Sequence, residues 1–148
     1  MARAAENGHL DVAAAETGLS VLLEACEKAV EEIGSAIPPA QLRALLIISQ
    51  LGSMNLNRLA RTLDSSASAT SRLIDRMQAA GLLTRDRAAA SRREIVLLPT
   101  ESGQQLAAWI RGQRQHALSQ VFESMSSEGR DALARGLEEL GAHDPGSV

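Results

Sequence analysis

Residues 57–98 carry the pattern from which the fold is inferred, and they read NRLARTLDSSASATSRLIDRMQAAGLLTRDRAAASRREIVLL. Around the start of this segment, apolar residues recur at the three- and four-residue spacing of a buried helical stripe: Leu56, Leu59, Ala60 and Leu63. This spacing predicts a short helix from Asn57 to Leu63. The next residues, 64–66, are Asp-Ser-Ser, a run that favours turns and caps and therefore ends the helix.

A second helix is predicted over 66–80. The Ser66 side chain can accept a hydrogen bond from a backbone N–H two or three residues later, and Gly81 suits the position just beyond the helix end. At helical spacing the residues divide between two faces. The apolar face carries Thr70, Leu73, Ile74 and Met77, and the other carries Ala67, Ser68, Ser71, Arg72, Asp75 and Arg76.

Two short strands follow the second helix in the sequence pattern. The strand candidates are 82–85 and 94–98, joined by a polar loop. Two short helices around a turn, followed by a hairpin, predict a winged helix-turn-helix. Small residues followed by an arginine suit a helix that lies close to a DNA base edge, which makes Arg72 a candidate contact.

The charge distribution favours the same segment. The net charge of the 148 residues is −3, which at first argues against a nucleic-acid partner. From Arg58 to Arg93, however, eight arginines face three aspartates, so this segment carries +5 and the remainder carries −8. Because binding responds to the local potential within about 8–10 Å, the segment remains a candidate for DNA binding.

The flanking residues predict further helices, because Ala and Leu dominate them. Apolar stripes place these helices at about 17–34, 101–122 and 128–140. A largely apolar helix starts at Pro38-Pro39 and ends at Gly52, and residues 54–56 form a short strand candidate. The expected fold class is mainly α with a small β wing.

The predicted organisation is one domain with flexible ends. A flexible arm covers 1–15, the domain covers 16–142 and a disordered tail covers 143–148. Within the domain the winged helix-turn-helix spans about 38–99, and dimerisation helices span about 17–34 and 100–142. A symmetric dimer would cover the apolar stripes of these helices and would place two recognition helices about one helical turn apart on the duplex.

The sequence does not offer the residues that a disulfide, a metal site or an enzyme active site would need. Cys26 is the single cysteine and cannot form an internal disulfide, and its place on an apolar stripe beside glutamates favours core packing over a reactive thiol. The histidines, His9, His116 and His143, have no partners at metal-ligand spacing, so we expect no metal and no cofactor. No group of nucleophile, base and orienting residue suggests an enzyme.

The chain also lacks membrane signals. No apolar run reaches the roughly 18 residues of a membrane span, and the first residues lack the apolar core of a signal peptide. We therefore expect a cytoplasmic protein with no membrane partner.

Two stretches together make the chain resemble the MarR family of dimeric winged-helix transcriptional regulators over about 17–140. The first, 59–85, follows the family's order of Leu-Ala, turn, serine-capped helix, arginine, Gly-Leu and strand arginine. The second, SRREIVLLPTESG over 91–103, has the family's wing arginines, returning strand and Thr-x-x-Gly helix opening. The chain departs from the family at Ser91, where an aspartate is usual, and at the tip Ala88-Ala89-Ala90.

The resemblance implies that 67–76 sit in the major groove, that the wing at 85–94 reaches the minor groove and that the terminal helices dimerise. The candidate DNA-binding residues are Ser66, Ala67, Ser68, Ser71, Arg72, Arg76, Arg85, Arg87, Arg92 and Arg93. The expected function is a homodimeric, sequence-specific DNA-binding regulator that represses by occupying a pseudo-palindromic operator in double-stranded DNA.

Two further readings remain open at the level of sequence. Related proteins bind small phenolic anions, so a small-molecule effector is a candidate partner. Trp109 and Arg111 could line its cleft, although a core position for Trp109 is the stronger expectation. The alternative function is a winged-helix protein-interaction module that does not bind DNA, which the acidic total charge, the alanine tip and Ser91 favour.

Overall fold

A computed structural model describes residues 11–31, 36–88 and 91–142, without the side chains of 88 and 91–94. These residues form six helices and three strands, so the expected mainly α fold with a small β wing is confirmed. The helices are α1 (Val12–Lys28), α2 (Pro39–Leu51), α3 (Leu56–Thr62), α4 (Ala67–Ala79), α5 (Glu101–Glu123) and α6 (Ser127–Ala142). The strands are β1 (Met54–Asn55), β2 (Leu83–Ala88) and β3 (Ser91–Pro99).

The chain divides into two compact units. The winged unit, 29–113, holds α2, α3, α4, the three strands and the start of α5. The terminal unit, 1–28 with 114–148, holds α1, the rest of α5 and α6. The domain boundaries expected at 16 and 142 stay predictions.

The three strands form one antiparallel sheet in the order β1-β3-β2. Met54 lies opposite Leu97, and Arg87 lies opposite Ile95. The hairpin strands β2 and β3 are longer than the predicted strands 82–85 and 94–98. Their pairing continues through charged residues toward the hairpin tip, where no apolar alternation marks a strand in the sequence.

The core of the winged unit gathers apolar residues from every element of the helix-turn-helix. α2 supplies much of it, as its nearly continuous apolar pattern predicts, and α4 turns Thr70, Ile74 and Met77 inward. The largest fully buried side chains are Leu45, Ile48, Leu59, Ile74, Met77, Leu97, Ile110 and Thr70. Each large apolar side chain buried in this way contributes about 1.5–3 kcal/mol relative to exposure.

Side-chain caps fix the starts of the two short helices, and the cap at Ser66 is the one that the sequence predicts. Asn55 accepts a hydrogen bond from the Arg58 N–H at 2.8 Å, which starts α3 one residue earlier than expected. Ser66 accepts from the Ala69 N–H at 3.2 Å and so starts α4. Gly81 follows the end of α4 with a φ of 72°, a backbone conformation that glycine adopts without strain.

A close backbone contact joins the end of the helix-turn-helix to α5. The Thr100 hydroxyl donates to the Gly81 carbonyl at 2.5 Å, and the Thr100 N–H donates to the Leu82 carbonyl at 3.0 Å. The same hydroxyl accepts from the Gly103 N–H at 3.0 Å, so Thr100 caps α5 at its Thr-x-x-Gly opening. A Cβ on Gly103 would lie 2.1 Å from the Leu82 carbonyl oxygen, so this position has room only for glycine.

In the terminal unit, α1 begins at Val12, inside the predicted flexible arm, and ends at Lys28. The expected span of 17–34 is therefore wrong at its start. The Asp11 carboxylate accepts from the Ala13 and Ala14 N–H groups at 3.0 and 3.3 Å, and this cap precedes the first leucine of the stripe. Residues 1–10, 32–35 and the predicted tail 143–148 lie outside the described residues.

The helices α1 and α6 bury none of their residues. Their exposed large apolar side chains are Val12, Leu19, Val21, Leu23, Leu137 and Leu140. Cys26 is half-buried rather than a core residue.

In the winged unit, Trp109 is 42% exposed, so its expected core position is also wrong. Helical spacing marks an apolar stripe, but it does not say whether the chain itself covers that stripe.

Candidate nucleic-acid interface

The outer face of α4 carries most of the candidate contacts. Ser66, Ala67 and Ser68 at its start are exposed, as are Arg72 and Arg76 further along. Ser71 is half-buried, so it offers less of its surface than the pattern of polar residues suggested. The predicted division of this helix into an inner and an outer face is otherwise as expected.

The first turn of α4 has the electrostatics of an anion-binding surface. The Ser66 hydroxyl caps the helix and lies 3.2 Å from the Ser68 hydroxyl. No acidic side chain lies in this turn, so the partial positive charge at the helix start is not offset locally. Small side chains here also let the backbone approach a phosphate or a base edge closely.

Two arginines of α4 are free to meet a ligand. The side chains of Arg72 and Arg76 are exposed, and neither guanidinium has a hydrogen bond or ion pair to any residue in the described part of the chain. A guanidinium presents five donors in a planar fork that matches a phosphate or the O6 and N7 atoms of guanine. These two side chains can therefore supply both a phosphate and a base contact.

Arg85 on β2 has a different environment. Its guanidinium donates to the Asp75 carboxylate at 2.8 Å and also to the Gln78 side-chain oxygen, both on α4. The side chain is 31% exposed. Arg85 was predicted as a DNA contact, yet here it ties the base of the hairpin to the C-terminal half of α4.

The remaining wing candidates lie further along the hairpin. Arg87 is exposed and lies opposite Ile95 on β3. Arg92 and Arg93 are backbone members of β3, and their side chains lie outside the described residues, as does the tip 89–90. The α4 candidates thus lie together on one face of that helix, and the wing arginines lie on β2 and β3, the two strands that follow it in the chain.

The structure adds features that the sequence pattern did not reveal. Arg85 on β2 bonds to Asp75, ten residues earlier on α4, and to Gln78, seven residues earlier on the same helix. Neither spacing predicts a contact between a strand and a helix unless the fold is known. Ile95 is 55% exposed although it stands in an apolar run. Among the described residues, no group of three or more His, Cys, Asp or Glu side chains could hold a metal ion. None of the described helices has the length and apolar character of a membrane span.

The order of elements and the outer face of α4 define a winged helix-turn-helix protein. A family model of the MarR family matches residues 37–95, from the start of α2 into β3. A solved MarR family protein from Bacillus stearothermophilus is 27% identical, with a TM-score of 0.72 and coverage of 88% of this chain and 92% of that one. The winged-helix segment therefore belongs to the MarR family, which confirms the resemblance inferred from 59–85 and 91–103.

Other relatives extend the comparison. RV1404 from Mycobacterium tuberculosis, which has a crystal structure, is 28% identical in sequence to this chain. The two structures superpose with a TM-score of 0.79 over 98% of this chain and 99% of that one. An uncharacterised HTH-type transcriptional regulator from Bacillus subtilis, YsmB, is 32% identical over 93 residues, which are 63% of this chain and 64% of that protein. The chain spans less than two thirds of the length of the curated relatives it matches.

Proposed function

We propose that this protein is a homodimeric, sequence-specific DNA-binding transcriptional regulator. The observation that carries the proposal is the outer face of α4. Its first turn has no acidic residue, and the side chains of Arg72 and Arg76 further along are exposed and unpaired among the described residues. In this proposal α4 enters the major groove and the hairpin reaches the adjacent minor groove. The MarR family match and the HTH-type regulators among the relatives support the same reading.

Each α4 residue then has a separate role. The Ser66 and Ser68 hydroxyls and the first-turn backbone of α4 bind a phosphate and set the position of the helix. Arg72, with Ala67 and Ser71 beside it, meets the base edges, and Arg76 binds the backbone further along. Arg87, Arg92 and Arg93 bind near the minor groove, whose negative potential favours arginine.

The dimer rests on the terminal unit. The helices α1 and α6 carry six exposed large apolar residues and bury none within the described chain. A second copy of the chain would cover these stripes and would present two α4 helices to one pseudo-palindromic site. Occupation of such a site would repress transcription, and a small-molecule effector would act by changing the spacing of the two α4 helices.

The proposal is tested by selecting duplexes from a random library with the purified protein and measuring affinity for the selected sequence. Arg72→Ala is expected to cost about 1–3 kcal/mol and to relax preference at one base pair of each half-site. Arg72→Lys keeps the charge but loses the planar fork, so it should restore nonspecific affinity without restoring base preference. Arg43→Ala, which removes an exposed arginine of α2 outside both α4 and the terminal helices, is the matched control and should change neither property.

The alternative is a winged-helix module that binds a protein partner instead of DNA. The specific observation in its favour is the engagement of Arg85 by Asp75 and Gln78, which removes one cation from the set available to phosphates. If no duplex is retained even at low salt and a stable protein partner is recovered with the chain, the alternative replaces the regulator.

A further inference from the structure

We propose that Ile95 is a DNA-contacting residue of the wing, where it packs against the deoxyribose walls of the minor groove beside Arg87. The inference rests on the proposed function and assigns a contact of a different physical kind to it. The other candidates in the hairpin are cationic, whereas Ile95 offers only apolar surface.

The strand register places Ile95 on a defined face of the hairpin. Arg85 pairs with Leu97, and Arg87 pairs with Ile95, before the irregularity that follows Arg87. Residues directly opposite in an antiparallel pair, and residues two apart in one strand, share a face. All four side chains are therefore on one face of the sheet.

That face is the one that turns toward the core and α4. Leu97 is 1% exposed, and Arg85 reaches Asp75 and Gln78 on α4 from the same face. Ile95 lies two residues further toward the tip, about 7 Å along the strand. There the core has ended, and the side chain is 55% exposed. On the inner face of the sheet, Ile95 thus lies uncovered beyond Leu97, where the core ends, and beside the exposed Arg87.

The neighbourhood of Ile95 fits nucleic acid better than it fits a protein surface. Its cross-strand neighbour Arg87 is exposed and cationic, and the segment from Arg58 to Arg93 carries +5. A protein partner would have to cover both an arginine and an isoleucine. The minor groove instead offers phosphates at its rim and the C–H edges of deoxyribose along its walls, so the pair Arg87 and Ile95 matches both parts of that surface.

This chemistry predicts a particular signature in the salt dependence of binding. A phosphate contact releases counterions, so its loss lowers the slope of log K against log salt by about 0.9. An apolar contact with sugar releases none. It also carries no base information, because sugars are the same at every base pair. Loss of Ile95 should therefore weaken binding by the same factor at every salt concentration and on every sequence.

The experiment compares Ile95→Val, Ile95→Thr and Arg87→Ala with the unmodified protein. Each is titrated with a selected duplex and with a scrambled duplex across a range of salt concentrations. All three variants should fold, since both positions are exposed and threonine and valine are good strand residues. Melting temperature and molecular mass are recorded for each variant.

We expect Ile95→Thr to weaken binding about three- to tenfold on both duplexes with an unchanged salt slope, and Ile95→Val to weaken it about twofold. Arg87→Ala should lower the slope by about 0.9. Equal affinity of all Ile95 variants would overturn the inference and leave the proposed function standing. A variant whose molecular mass in solution changes while its DNA affinity does not would also overturn the inference, because Ile95 would then contact another protein chain. If the unmodified protein binds no duplex, the proposed function fails and the inference fails with it.

Discussion

Arg85 on β2 donates to Asp75 and Gln78 of α4, while Arg72 on α4 is exposed with no partner among the described residues. The two side chains have the same chemistry, yet their surroundings give them different tasks. A guanidinium that already holds a carboxylate has fewer donors left for phosphate. At the scale of single residues, we therefore assign Arg72 to the ligand and Arg85 to the position of the hairpin.

This assignment predicts a coupling between Asp75 and Arg85. If Arg85 acts by holding the hairpin, Asp75→Asn should weaken DNA binding although it removes a negative charge, and Arg85→Gln should weaken it similarly. The double variant should be no weaker than either single one, with a coupling of about 0.5–1 kcal/mol in a double-mutant cycle. Affinities measured at one fixed salt concentration provide the cycle.

A direct contact between Arg85 and phosphate would give the opposite results for the same variants. If Arg85 binds phosphate directly, Asp75→Asn will tighten binding because it frees the guanidinium. Arg85→Gln will then lower the salt slope by about 0.9. Either outcome would return Arg85 to the set of direct DNA contacts.

Among the elements of the winged unit, the start of α5 is held by a close contact with the residues that follow α4. Thr100 bonds to Gly81 and Leu82, and Gly103 lies against the Leu82 carbonyl. Leu82 itself is buried at the start of the hairpin. The contact thus joins the end of α4, the base of β2 and the first turn of α5.

Gly103→Ala is expected to destabilise the fold. A Cβ at 2.1 Å from a backbone oxygen forces the two segments apart, and overpacking of this kind costs about 1–3 kcal/mol. Gly112→Ala is the matched control on the same helix, since a Cβ there meets nothing within 4 Å. The control should stabilise by about 0.5–1 kcal/mol, because alanine has the higher helix propensity. Urea unfolding of both variants gives the comparison, and equal stabilities would contradict it.

At the scale of the whole molecule, the terminal unit carries apolar surface that the described chain does not cover. Leu137 and Leu140 of α6 are 41% and 69% exposed and share a helix face at a spacing of three. Exposed apolar residues grouped on helices that bury nothing are typical of a protein interface. This surface is the basis for the proposed dimer.

Leu137→Glu combined with Leu140→Glu should therefore dissociate the dimer. Sedimentation should show the mass of one chain, and affinity for a two-half-site duplex should fall on the order of 10²-fold because the two α4 helices no longer bind together. Leu51→Glu is the control, since Leu51 is 48% exposed but lies at the end of α2 in the winged unit. A dimer that survives the α6 double variant would place the interface elsewhere.

Local sequence patterns were enough to predict the helices of the winged unit, the Ser66 cap and the inner face of α4. These features depend on local rules: Ser66 and Thr100 accept from backbone N–H groups three residues later, and Gly81 adopts a positive φ. The bond from Arg85 to Asp75, the contact of Gly103 with Leu82 and the exposure of Ile95 and Trp109 follow from the three-dimensional fold. Those properties depend on which segments lie next to one another in space. Residue spacing along one helix or strand does not predict such contacts between separate segments.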